Sequence, residues 1–422
     1  MKAQVLHSEI AFFSRRPVTP LILRSGQVEE LTEARVTVNV RCGEREATGQ
    51  GSVFLCGSWV WKDDHDPPEQ KVILLRELTS RISQNLAQMC GGEPAHPLEH
   101  GLRLREAVAN LNDPAFDEVS PLARALCISP FDAAIHDAAG YASEQSAFRF
   151  YDVDVPIPSA DKWLDGAACR AIRQLLRADP LKTLPNWVVI NHSDDLSKLL
   201  PDWVQSQWRC FKIRVSGLDQ RADLQRTIEL YRRLRELDVD EAWITIDSEA
   251  QNPDVQSVVD YLVQLRSRDP GALEWLKYIE QPTRRDFTQH RYDWTSAVAI
   301  KPVLLGDGLV SLHQLEQARE QKWSGFALKT CMGHSFALVA AAWARQRKML
   351  IALQDLNNPG FALIHAAFFA AFVPTLNGAE LSSPQSIPSA NTEWFPRQMG
   401  LFQPTKGLHW LPQTPYGLGG SL

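Results

Sequence analysis

Residues 242–247 read Ala-Trp-Ile-Thr-Ile-Asp, and residues 275–280 read Trp-Leu-Lys-Tyr-Ile-Glu. Each is a short apolar run, rich in β-branched and aromatic side chains, that ends on a carboxylate. A helical pattern lies between them, so the pair reads as two parallel strands joined by a crossover. The pattern extends both ways along the chain. Strands are expected at 187–191, 210–215, 242–247, 275–280, 298–306, 325–329, 349–354 and 373–376. Amphipathic stretches separate most of them, as at 219–237 with apolar Leu224, Ile228, Leu230, Tyr231 and Leu234. The crossover between the fourth and fifth strands has little room for a full helix around 287–294. Eight strands separated by crossovers describe a TIM-type barrel more economically than an open sheet. The expected fold class is therefore α/β, a (β/α)7β TIM-type barrel.

Upstream the texture differs. Arg35-Val36-Thr37-Val38-Asn39-Val40 alternates like a strand, a polar turn follows at 42–46, and 49–55 reads as its antiparallel return. Helical patterns follow near 70–88, 117–127 and 130–143. Strands followed by helices suggest a small α+β capping domain over 1–150. Pro156, Pro158, Pro180 and Pro185 punctuate 151–186, expected to be a linker with one short helix near 167–177. The barrel would occupy 187–380, and an irregular Gly-, Pro- and Ser-rich tail, 381–422, would return to the cap.

A chain of 422 residues is long enough for two domains or a barrel with a cap. With 44% hydrophobic and 22% charged residues it is ordinary for a globular protein. A net charge of −6 gives no electrostatic footprint for nucleic acid or an anionic membrane. The richest apolar run, around 366–373, is too short to span a bilayer. Ser8 and Glu9 break the apolar start, so no signal peptide is expected. The seven cysteines are an odd number without Cys-x-x-Cys spacing. They read as free thiols of a cytoplasmic protein and disfavour zinc and iron–sulfur sites.

In such a barrel the active site forms at the carboxyl ends of the strands. Those ends carry Lys212-Ile213-Arg214, Asp247, Glu280, Asp307, Lys329 and Gln354-Asp355. The steps from Lys212 through Asp247, Glu280 and Asp307 to Lys329 are 35, 33, 27 and 22 residues, suiting one charged group per strand. A single acidic residue at a strand end is ordinarily a solvated terminus or the N-cap of the next helix. Three on consecutive strands, flanked by lysines, would repel strongly without a cation among them. Oxygen ligands with no clustered His or Cys favour Mg²⁺.

The ordered set Lys-x-Arg, Asp, Glu, Asp, Lys resembles the enolase superfamily, and most closely its muconate-lactonizing-enzyme-like branch within the mandelate racemase group. Ile279-Glu280-Gln281-Pro282 is similar to the family's segment for the second metal ligand, Leu305-Gly306-Asp307 to the third and Ile246-Asp247 to the first. Phe131–Gly140, Phe-Asp-Ala-Ala-Ile-His-Asp-Ala-Ala-Gly, resembles the end of the family's capping domain. The resemblance implies a Mg²⁺-dependent enzyme that removes a proton α to a carboxylate and stabilises the enediolate on the metal. Asp247, Glu280 and Asp307 would be the metal ligands. A lysine base would need its pKa lowered by a nearby cation.

The chain departs from the family where Arg214 replaces the second lysine of Lys-x-Lys. Positions two apart on a strand face the same side, so Arg214 points where that base would, yet arginine keeps its proton. Lys329 becomes the leading base, with Lys212 second, and Arg214 the binder of a carboxylate or a modulator of a lysine. Gly308 stands where the family often has Glu, and 354–358 lacks the histidine of the mandelate racemase branch. His334 and His365 read as ordinary packing or surface residues, and His192 as a weak candidate for the mouth. One competent base favours a lyase, a dehydratase or cycloisomerase. A racemase or epimerase, and a catalytically inactive acid-binding barrel, remain alternatives. Cap loops at 15–26 and 57–67 bring Arg15, Arg16, Trp59, Trp61 and Lys62 near the mouth. Arg16, Trp59 and Asp355 are the candidate substrate-binding residues, for a small carboxylic acid with an apolar or ring portion. A homo-oligomer is expected.

Overall fold

The structure, a computed structural model, describes residues 1–23, 26–61, 67–355, 357–358, 360–394, 397–413 and 416–420. Seven parallel strands form a curled sheet in chain order: Trp187–Ile190, Cys210–Arg214, Trp243–Asp247, Leu276–Glu280, Val303–Leu305, Gly325–Lys329 and Leu350–Gln354. They are buried on both faces, which is why they read as continuous apolar runs. Tyr278, Leu304, Ala327 and Ala352 fill the interior, two alanines facing one tyrosine so that the layer fits. Register aligns the charged ends: Arg214 lies opposite Asp247, and Asp247 opposite Glu280. The fold is that of a (β/α) TIM-type barrel with a capping domain.

The cramped crossover before the fifth strand holds only a four-residue helix, Thr295–Val298. That strand is also shorter than the expected 298–306, because Pro302 has no N–H to give a ladder. The eighth strand is not at 373–376. Helix Phe361–Phe372 runs up to that point, and the chain after it meets the seventh strand from Leu376 onward without forming a regular strand. There Leu376 N–H donates to Ile351 O (2.6 Å) and Glu380 N–H to Leu353 O (3.0 Å). Two carboxamides complete the closure. Asn377 accepts from Leu353 N–H and donates to Leu353 O, both at 3.0 Å. Gln385 does the same with Val189 of the first strand, both at 3.2 Å.

The cap sheet has three antiparallel strands in the order Gln4–Arg15, Leu31–Cys42, Arg45–Leu55. Helices Pro68–Met89 and, with Pro97–Ala109 packed against it, Pro121–Ser143 cover it. The last is one helix where two were expected, at 117–127 and 130–143. Pro130 removes the N–H that would reach Leu126 O, and the Ser129 hydroxyl donates there instead (2.8 Å), so the helix continues. Gly49 and Gly51 let this helix lie against the sheet. A Cβ would stand 2.1 Å from Ala138 N at Gly49 and 1.9 Å from Pro130 O at Gly51. The helix Pro97–Ala109 escaped the sequence reading because its N-cap is an unusual one, His96 accepting from Leu98 N–H (3.2 Å).

Cap and barrel share buried polar contacts. Asp132 accepts from Ser335 N–H (2.8 Å) and its hydroxyl (2.7 Å), and Asn358 accepts from Phe54 N–H (2.8 Å). Arg105 reaches Met332 O (2.7 Å) and Val310 O (2.5 Å). Residues 151–186 carry a helix, Ala168–Leu175, and Arg177 N–H meets Phe372 O (2.8 Å). In the tail, Leu418 N–H donates to Asp137 (2.9 Å) on the cap helix. His334 and His365 are buried and hydrogen-bond each other at 2.8 Å. All seven cysteines are free. Among the described residues no helix is long and apolar enough to cross a membrane.

Candidate active site

The carboxyl ends of the strands open into a cleft of about 1260 Å³ roofed by cap residues, among them Phe54, Trp59 and Trp61. Lys212, Arg214, Asp247, Glu280 and Asp307 line it. Glu280 is the hub. Its Oε2 accepts from Lys212 Nζ at 2.5 Å and from the Gln354 carboxamide, and its Oε1 lies 3.3 Å from Lys329 Nζ. Lys212 also contacts Asp247 (3.5 Å), and Lys329 contacts Asp307 (3.0 Å). One ammonium thus spans the first and second carboxylates, and another the second and third. Strand order alone brings these five groups together. Arg214 stands slightly apart, 3.6 Å from Glu249.

The ion pairs set the protonation. Burial would lower the Lys212 ammonium, but Glu280, Glu380 and Asp247 hold it well above the lysine range. Lys329 is likewise raised, Asp307 and Glu280 outweighing burial. The lowered lysine expected of a base is thus absent here, because each ammonium is itself the counter-ion of two carboxylates. Burial pushes Asp247 up to about 6; Lys212 opposes this, while Glu280 and Glu249 add to it. Glu280 and Asp307 are both depressed. Burial is outweighed at Glu280 by Lys212 and Lys329, and at Asp307 by Arg285 and Lys329.

Three participants escaped the sequence reading. Glu380, on the irregular eighth segment, receives Lys212 Nζ (2.9 Å) and the Tyr278 hydroxyl (2.5 Å). An eighth strand placed at 373–376 hid it. Gln354 was noticed only as the neighbour of Asp355. Arg285 lies past the Gln-Pro turn, where no periodicity gives a direction. It donates to Asp307 Oδ2 (2.5 Å) and to Trp59 O (2.7 Å), while the Trp59 indole donates to that same Oδ2 (3.0 Å). Gln281, in the left-handed region at φ 33°, holds the turn by accepting from Gly306 N–H (3.1 Å) and Gly308 N–H (2.9 Å) on either side of Asp307.

Of the candidate substrate contacts, Trp59 is in the cleft and Arg16 is not. The Arg16 side chain is 81% exposed, 3.7 Å from Glu30. Asp355 lies behind the wall, buried, its Oδ1 accepting from Asn357 N–H (3.0 Å) and from Ser382 (3.3 Å). Trp61 lines the cleft, Arg15 pairs with Glu33 (2.7 Å), and His192 is exposed. Lys62 lies outside the described residues.

The donor set suits a hard divalent cation. Asp247, Glu280, Asp307 and Glu380 meet three cations, Lys212, Lys329 and Arg285, leaving one carboxylate charge in excess. The buried Asp307 Oδ1 is met only by the Lys329 ammonium among the described residues, at 3.0 Å. Among the described residues no three acidic, His or Cys side chains yet converge on one point, since the ammonium groups stand between the carboxylates. The fit is in donor chemistry and spacing.

The sequence matches no family model and no curated protein. Solved structures do match. The L-Ala-D/L-Glu epimerase from Bacillus subtilis is 13% identical, with TM-score 0.68, over 99% of this chain and 98% of that one. A dipeptide epimerase from Enterococcus faecalis, complexed with Mg and L-Leu-L-Tyr, is 13% identical with TM-score 0.65 over 99% of both chains. A muconate lactonizing enzyme from Pseudomonas fluorescens, complexed with muconolactone, is 16% identical with TM-score 0.65, covering 100% of this chain and 97% of its own. At such identities the likeness shows the shared fold.

Proposed function

We propose that this protein is a Mg²⁺-dependent enzyme of the enolase superfamily, in its muconate-lactonizing-enzyme-like group, that abstracts a proton α to a carboxylate. The observation that carries the reading is the chain of ion pairs across consecutive strand ends, Asp247–Lys212–Glu280–Lys329–Asp307. The epimerases and the lactonizing enzyme that share this fold support it.

Asp247, Glu280 and Asp307 would hold the ion. When bound, a divalent metal neutralises these carboxylates and polarises a substrate carboxylate, so that the α-proton becomes acidic. Lys329 Nζ takes that proton once a cation held by Glu280 and Asp307 has replaced it as their counter-ion, which lowers its ammonium and frees the amine. Lys212 and Arg214 supply positive charge opposite, and Arg214, which keeps its own proton, orients a substrate carboxylate. Phe54, Trp59 and Trp61 exclude water above the reacting carbon and suit an apolar or ring portion of the acid. With one competent base the reaction is an elimination or cycloisomerisation.

A second reading is 1,1-proton transfer by a racemase or epimerase. It is favoured by Lys212 and Lys329 approaching Glu280 on its two different oxygens, one lysine to each side of that carboxylate. The test is α-proton exchange into D₂O across a carboxylic-acid library with Mg²⁺. Exchange of one enantiomer supports the lyase, and equal exchange of both supports the epimerase. No exchange with any acid would favour a binding protein.

A further inference from the structure

We infer that Arg285 is a positioning residue that competes with a divalent ion for Asp307 and ties that competition to the cap. This rests on the metal reading above. The guanidinium and the Trp59 indole together occupy Asp307 Oδ2, while Oδ1 faces the Lys329 ammonium at 3.0 Å. Arg285 also donates to the Trp59 carbonyl, and its guanidinium carbon stands 5.8 Å from the Trp59 ring centre. Three groups from the cap loop, the turn after the fourth strand and the end of the fifth strand therefore share one clasp. The neighbouring Arg284 shows the contrast, since it is 66% exposed and pairs only with surface Asp286.

A fixed positive charge beside a carboxylate lowers the attraction of that carboxylate for a second cation. It also withdraws one oxygen from coordination. Arg285 thus keeps the ion loosely held until an anionic substrate adds its own oxygens. When the ion draws Asp307 towards it, Trp59 loses its acceptor and the short helix Gly57–Val60 is released with it.

The experiment titrates the full-length protein with Mn²⁺ and with Mg²⁺ by calorimetry and follows tryptophan emission. Arg285→Met keeps the length and apolar packing but removes the charge, and is expected to bind the ion about tenfold more tightly or better. Arg285→Lys keeps the charge and should stay within about threefold of the parent. Trp59→Phe should erase the emission change that the ion causes in the parent. A residue that merely pins the cap would weaken metal binding on removal. Unchanged or weaker binding by folded Arg285→Met, its folding checked by Tm, therefore overturns the inference while leaving the metal reading intact. A parent protein that binds neither ion at millimolar concentration overturns both.

Discussion

Glu280 carries three contacts on two oxygens, from Gln354, Lys212 and Lys329. A buried charge network of this kind is costly to break, because removal of one member leaves the others unpaired. Glu280→Gln should therefore abolish the rise in Tm that Mg²⁺ produces in the parent, a linkage effect of binding to the folded state alone. Lys329→Ala should remove turnover and α-proton exchange while metal binding survives, since no proposed ligand is touched. The residues of these variants were legible in the sequence for one reason. Parallel strands in chain order deliver one side chain each to the same rim, so Lys212, Asp247, Glu280, Asp307 and Lys329 could be read off the strand ends. Glu380 and Arg285 could not, because irregular backbone positions them and spacing gives it no direction.

Among the elements, those with alternation or clear amphipathic spacing were legible. Helix Phe361–Phe372 was not delimited, since its described residues are all buried and it has no polar face. That uniformity displaced the expected eighth strand into its end. Closure there depends on Asn377, buried and bonded to both backbone groups of Leu353. Asn377→Ala leaves the Leu353 N–H unpaired in the wall, at about 1–3 kcal/mol, while the Leu353 carbonyl keeps Glu380 N–H. Urea unfolding should show the loss, together with weaker retention of Glu380 beside Lys212. In the cap, Gly51→Ala drives a methyl group into the Pro130 carbonyl of the covering helix, and overpacking of that kind costs about 1–3 kcal/mol.

The whole molecule buries several neutral imidazoles. Burial lowers His96 and His365 to about 3 and His409 to about 4, and lowers His100 and His334 as well. The unfolded chain takes up protons at these groups below pH 6.5 and the folded one does not. Their contribution is therefore complete above pH 6.5 and is lost as the pH falls. Burial acts oppositely on Asp137 and Asp355, pushed up to about 7, whose folded state holds protons the unfolded state has released and so weakens as pH rises from 4 to 7. With Asp223 and Asp247 also raised, the five imidazoles outnumber the four raised carboxyls, and each one not offset is worth about 1.4 kcal/mol per pH unit. Urea midpoints should fall from pH 6.5 to 4 and change little for these groups above 7. The two-part plan of the molecule was legible from the change of texture near residue 187. The buried histidines were not, since nothing in a helical pattern tells a buried imidazole from an exposed one.

The barrel wall closes in part through side chains, Asn377 and Gln385, where the other strands use backbone throughout, and this gives the molecule a clock. Where Asn377 and Gln385 stand in for a ladder, one rotamer change opens what elsewhere needs a strand to peel. The amides of Leu353 and Val189 should then trade hydrogen for deuterium ahead of those in Cys210–Arg214 and Trp243–Asp247 at mid-sheet. Glu380 stands at that seam, its N–H on Leu353 O, and its carboxylate reaches back to Lys212 on the second strand. Each opening parts them, so the exchange rate at Leu353 bounds how long Lys212 keeps its third carboxylate.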